Sequence, residues 1–112
     1  MGTSIDSIVV KAKEYLPALD EARVRRAYDL AVEAHAGQVR FSGEPYVTHP
    51  LEAANILLSL KPDEDTIIAT LLHDVPADTL VTLKVIEKDF GGTVARLVQG
   101  TEKLSLVRIQ EG

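Results

Sequence analysis

Between a few breakers, the apolar residues of this chain recur at spacings of three and four along its 112 residues. That period matches the roughly 3.6 residues of an α-helical turn and not the alternation of a half-buried strand. The breakers are Pro17, the stretch from Gly37 to Pro50, Pro62, Pro76 and Gly91-Gly92. A first helix is expected over Ile5–Leu16, ended near Pro17. A second is expected over Glu21–Ala36, with Asp20 capping it and Val24, Ala27, Tyr28, Ala31, Ala34 and His35 forming its stripe. Gly37 would stop it by tolerating the left-handed conformation. Thr48 is a candidate N-cap for a helix over His49–Leu60, with Pro50 in the first turn, where no N–H is needed. Leu51, Ala54, Ile56, Leu57, Leu58 and Leu60 cover most of that helix, so it is expected to be central. Asp63–Asp74 reads as the next helix, with Ile67, Ile68, Leu71 and Leu72 buried. Pro76 is expected to end or bend it and to push Val75 away from helical angles. Thr82 caps a helix over Leu83–Phe90, closed by Gly91, and Thr93 opens a last one carrying Val94, Leu97, Val98 and Leu104. The expected fold is all-α, a bundle of about five to six helices.

Aromatics make up only 4% and Trp is absent, so the core must be aliphatic. The length suits one domain. A net charge of −5 disfavours nucleic acid and anionic lipid, whose binding relies on clustered Lys and Arg. It also disfavours phosphate-bearing ligands unless a metal or a placed Arg supplies a local cation. With no Cys, disulfides, zinc ribbons and thiol nucleophiles are excluded. No apolar run approaches the roughly 20 residues of a membrane helix and the N-terminus lacks a leader pattern, so a cytoplasmic, non-membrane protein is expected.

Three histidines carry the chemical interest: His35, His49 and His73, the last followed by Asp74. Two imidazoles and a carboxylate form a mixed nitrogen and oxygen donor set suited to Mn, Fe or Zn. The His73-Asp74 pair alone carries little weight, because a His near a helix C-terminus is favoured by the helix dipole whether or not it binds metal.

The wider string adds what the pair lacks. His35-Ala36-Gly37-Gln38-Val39-Arg40-Phe41-Ser42-Gly43-Glu44-Pro45-Tyr46-Val47-Thr48-His49-Pro50 resembles the RelA/SpoT pattern His-x-Gly-Gln-x-Arg-x-Ser-Gly-Glu-Pro-Tyr-x-x-His-Pro. Leu71-Leu72-His73-Asp74-Val75, then Asp78-Thr79, Phe90-Gly91 and Thr101-Glu102-Lys103-Leu104, follow in the order of the same family's N-terminal hydrolase domain. The resemblance implies an HD-type helical fold and Mn²⁺-dependent removal of the 3′-pyrophosphate from (p)ppGpp, with a guanine nucleotide as the partner. It implies His49, His73 and Asp74 as metal ligands, Asp78 as a catalytic group, and Arg40 and Ser42 as substrate-binding residues. A guanidinium at Arg40 could stack on guanine or fork onto phosphate. Without the resemblance, Arg40 reads as a solvated loop residue and Ser42 as a turn serine. His35 matches a position that is not a ligand; it reads as a structural His bonded to the loop after it, and Tyr46 as a packing residue.

The pattern also breaks. The family segment runs His-Asp-x-x-Glu-Asp, and here it runs His73-Asp74-Val75-Pro76-Ala77-Asp78. Ala77 cannot move a proton, and general acid–base groups contribute about 10²–10⁴-fold, so low activity is expected. Phe41 replaces a basic residue often found after the family Arg. The family's last metal ligand, an Asp, falls beyond the position of Gly112, and the synthetase domain is not in the chain, so a C-terminally truncated hydrolase domain over residues 1–112 is expected. Weakened metal binding and self-association through uncovered apolar surface follow from that expectation. The competing readings are a nucleotide-binding or regulatory module without turnover, and an oligomerising fragment without metal.

Overall fold

The computed structural model describes residues 4–36 and 48–100, with the side chain of Thr48 left out, and every regular element among them is helical. The helices are α1 (Ile5–Tyr15), α2 (Glu21–Ala34), α3 (Thr48–Leu57) with a 3₁₀ turn at Leu58–Leu60, α4 (Glu64–Leu72), α5 (Val75–Asp78), α6 (Leu83–Phe90) and α7, described over residues 92–100.

α4 is the centre. Asp63 caps its start by accepting from the Thr66 N–H at 2.9 Å, and Glu64 and Asp65 place negative charge at the positive end of the helix dipole. Its sequence is rich in β-branched residues of modest helix propensity, so burial must hold it. Ile67, Ile68, Leu71 and Leu72 are all buried, and α4 packs against both α2 and α3. Each such side chain contributes on the order of 1.5–3 kcal/mol on leaving water. α1 lies across α2 and α3 and adds Ile8, Val9 and Ala12 to the core, while Ile86, Phe90, Val94 and Val98 enter from α6 and α7.

Arg23 ties three helices together. From α2 its guanidinium donates to Glu64 at 2.8 Å, to Asp65 at 2.7 Å and to the Phe90 carbonyl at 2.6 Å. Hydrogen bonds to charged groups contribute about 1.5–3 kcal/mol, and partial exposure reduces their effect. Arg23→Ala is therefore expected to lower stability by about 2–3 kcal/mol in urea unfolding. A loss below about 0.5 kcal/mol would show that the three contacts are interchangeable with water.

Asp63 gives a second, smaller prediction with a pH signature. The Thr66 hydroxyl and backbone N–H hold its carboxyl below the usual value. A depressed carboxyl stabilises the fold above its unfolded pKa of about 3.9 and loses that contribution as pH falls through the folded value. Asp63→Ala should cost about 1 kcal/mol at neutral pH, and its gap from wild type should close below about pH 4. A gap of constant size down to pH 2 in an unfolding series would contradict this account.

The structure departs from several sequence expectations. α2 stops at Ala34, with His35 as its C-cap, before Gly37, which lies outside the described residues. α3 includes Thr48, and its C-terminal end tightens into the 3₁₀ turn. It is not enclosed on all sides: Leu51, Ala54 and Leu58 are buried, but Ile56 and Leu60 are 74% and 76% exposed. Apolar residues at i, i+2 and i+5 cannot all face one neighbour on a helix. Leu97 of α7 is also partly exposed, whereas Val94 and Val98 are buried. The α4 break comes at His73-Asp74 rather than at Pro76, which sits inside the first turn of α5, and Val75 is helical and fully buried. First-turn N–H groups have no intrahelical partner, so proline costs nothing there. Gly91 closes α6 with φ 97°, a conformation that suits glycine.

Candidate metal centre

Two helix ends and one turn build the site. His49 is the second residue of α3, His73 is the C-cap of α4, and Asp74 is the N-cap of the short helix α5. His73 Nε2 lies 3.2 Å from Asp74 Oδ2, and His49 Nε2 lies 3.7 Å from the same oxygen. The two rings meet edge to face with centroids 5.2 Å apart. The pair that the sequence separates therefore converges on one carboxylate.

One nitrogen of His73 is already committed. Its Nδ1 is 2.6 Å from the Thr70 carbonyl, which can only accept, so Nδ1 carries the proton. In the neutral ring this turns the Nε2 lone pair toward the cluster, and in the charged ring Nε2–H donates to Asp74. The ring also satisfies one of the last carbonyls of α4.

The electrostatics agree with the geometry. Burial alone would push the His73 imidazole down. Only together do the Asp74 hydrogen bond, the Thr70 carbonyl and the charges of Asp74 and Asp78 outweigh it, so the net shift is upward. Burial alone would raise the Asp74 carboxyl. The His73 hydrogen bond and charge, followed by the charges of His49 and His35, outweigh that and hold it below the usual carboxylate range. A carboxylate that stays ionised among three imidazoles is a ready cation ligand.

The donor set fits a divalent ion. His49, His73 and Asp74 each offer one ligand atom, and all of these lie within 4.8 Å of one another. Bonds of about 2.0–2.1 Å place tetrahedral or octahedral donors roughly 3–3.5 Å apart. The 3.2 and 3.7 Å separations to Asp74 need only small adjustment to meet that requirement. His73 is 12% exposed and Asp74 21%, whereas His49 is 40% exposed, so the cluster opens toward solvent on the α3 side.

Asp78 lies at the end of α5, solvent-exposed, and close enough for its charge to act on His73. Ala77 beside it is exposed. Arg40 and Ser42 lie outside the described residues, as do Phe41 and Tyr46. His35 is 4% exposed and is the buried polar residue of the described core, as expected; the loop it was expected to bond lies outside the described residues. Its charge also reaches Asp74, which sequence reasoning missed. A hollow of about 240 Å³ lined by Ala53, Leu57, Thr70 and His73 adjoins the cluster. A somewhat larger one, about 280 Å³, lies around Arg26 and Phe90 and contains no histidine.

Comparison with known proteins identifies the family. The family model described as HD domain matches residues 27–111. SpoT of Escherichia coli K12, a bifunctional (p)ppGpp synthase/hydrolase, is 47% identical over 97 residues, covering 87% of this chain and 14% of the relative. A probable GTP pyrophosphokinase of Mycobacterium leprae is 44% identical over 103 residues, covering 92% and 13%. A guanosine-3′,5′-bis(diphosphate) 3′-pyrophosphohydrolase of Vibrio cholerae is 42% identical over 106 residues, covering 95% and 15%. The chain belongs to the HD domain family, and the RelA/SpoT resemblance read from the sequence holds over most of its length. It spans 13–15% of the length of these relatives. No helix among the described residues is long and apolar enough to cross a membrane.

Proposed function

We propose that residues 1–112 are an HD-type hydrolase domain acting on the 3′-pyrophosphate of (p)ppGpp, with low activity, in the cytoplasm. The observation that carries this reading is the convergence of His49 and His73 on Asp74. The relatives' names divide between synthesis and hydrolysis, yet all concern the pyrophosphate of a guanine nucleotide. Two imidazoles and a carboxylate at an open cleft favour the hydrolytic half.

In this reading His49, His73 and Asp74 hold Mn²⁺. A bound divalent ion polarises a phosphoryl oxygen, acidifies a coordinated water and neutralises clustered phosphate charge. The protein's own residues do the rest. Thr70 fixes the His73 tautomer through its carbonyl. Asp78, near the cluster but outside the ligand set, orients water or accepts its proton. Arg40 and Ser42 hold the nucleotide, and Arg40 adds the positive charge that a chain of net −5 otherwise lacks there. Ala77 contributes no proton-transfer group, which is why turnover is low.

Ala77 favours a second reading, a module that binds the nucleotide, or self-associates, without turnover. The deciding experiment measures pyrophosphate release from ppGpp with and without Mn²⁺, beside calorimetric binding of the same nucleotide. Mn²⁺-dependent release supports the hydrolase. Tight binding with no release at high enzyme concentration rejects it in favour of the module.

A further inference from the structure

The last turn of α4 is joined to the site through Thr70, where three hydrogen bonds meet. The Thr70 hydroxyl donates to the Thr66 carbonyl at 2.8 Å. The Thr70 carbonyl accepts from His73 Nδ1 at 2.6 Å and from the His73 backbone N–H at 3.4 Å. The backbone bond is long, so the ring bond is the stronger of the two. A threonine hydroxyl bonded to the carbonyl four residues back competes with the helical ladder and bends the helix locally. In α4 that hydroxyl stands in the last turn, where the carbonyls run out of helical amides. Thr70 and His73 also line the same hollow, with Ala53 and Leu57, so the two side chains share one wall.

We propose that Thr70 is a positioning residue for His73: its hydroxyl sets the tilt of the last turn of α4, so that the Thr70 carbonyl accepts from Nδ1–H and the ring presents Nε2 to Asp74 and His49. A neutral imidazole left to itself prefers its proton on Nε2, the form that cannot ligate through the nitrogen facing this cluster. The consequence for cation affinity rests on the reading of the cluster as a metal site; the tautomer does not, because it is a property of the ion-free protein.

The test uses three variants and two measurements. Thr70→Ser keeps the hydroxyl; Thr70→Val removes it with little change of shape; Thr70→Ala removes it with high helix propensity, in case the valine variant folds poorly. Ring ¹⁵N shifts of ion-free, labelled protein, at a pH where His73 is neutral, report which nitrogen is protonated. Wild type and Thr70→Ser should show the proton on Nδ1, and Thr70→Val and Thr70→Ala should shift toward Nε2. Calorimetry with Mn²⁺ should show affinity about tenfold weaker in the two hydroxyl-free variants and near wild type in Thr70→Ser, the size of effect seen when a partner of a ligating His is lost. An unchanged tautomer and affinity in Thr70→Val and Thr70→Ala, with only a lower melting temperature, would overturn the proposal. If wild type takes up no Mn²⁺, the metal reading fails, and the ¹⁵N shifts alone decide the role of Thr70.

Discussion

Ala77→Glu is expected to raise Mn²⁺-dependent release of pyrophosphate from ppGpp by about 10²–10⁴-fold, the usual contribution of a general acid–base group. The position accepts a longer side chain. Ala77 is exposed, while fully buried Val75 anchors α5 from the opposite side. The helix is one turn long, and Asp78 at its end already acts on His73, so a carboxylate one residue earlier is added to an existing electrostatic neighbourhood. The new carboxylate stands beside the cluster and carries ligand oxygens of its own, so Mn²⁺ uptake is measured for both proteins. The comparison is therefore made at matched Mn²⁺ occupancy, with wild type and variant assayed side by side. If the variant binds Mn²⁺ and nucleotide as wild type does and still releases nothing, the lesion lies elsewhere and the non-catalytic reading gains.

The second large effect is expected at Asp74. Asp74→Asn keeps the size of the side chain but removes the charge that both imidazoles face at 3.2 and 3.7 Å. Loss of a neighbour of a ligand costs about 10–100-fold in metal affinity, so loss of a ligand's own charge should cost at least about 100-fold. The readout need not involve substrate. An ion that binds only the folded state stabilises it by about 2.7 kcal/mol at a hundred times its dissociation constant. Wild-type protein should gain that stability with Mn²⁺, and Asp74→Asn should gain almost none at the same concentration. Equal stabilisation of both proteins would place the ion somewhere other than this cluster.

The helices of this chain were legible because their signals are local. Asp20 and Thr82 each cap the helix they precede, Asp63 stands one residue ahead of the helix it was read to open, and the apolar spacing of α4 names four of its five buried side chains, Ala69 being the fifth. What failed were statements about whole faces. The number of apolar residues in α3 suggested a central helix, and it does pack against α1 and α4, but Ile56 and Leu60 face outward because which side is covered depends on packing. Arg23 drew no reading from the sequence, because nothing in its own neighbourhood foretells that Glu64, Asp65 and the Phe90 carbonyl will gather around it. At the site, the residue types and the family resemblance named His49, His73 and Asp74, but no period or spacing states that the ends of α3 and α4 adjoin. Thr70 was illegible for a deeper reason. In the proposed role its hydroxyl acts on the ring only through a backbone carbonyl, which every residue possesses.

The two imidazoles differ in how firmly each is mounted. His73 and Asp74 sit at the far end of a short rod whose near end is clamped by Asp63 and by Arg23 through Glu64 and Asp65, and whose length is sealed in the core. His49 stands at the mouth of the cluster, its ring nearer to water. An ion would therefore arrive and depart past His49, which acts as the doorway, while His73 and Asp74 form the floor. Substitutions on α3 near that mouth should change how fast the ion exchanges more than how tightly it is held.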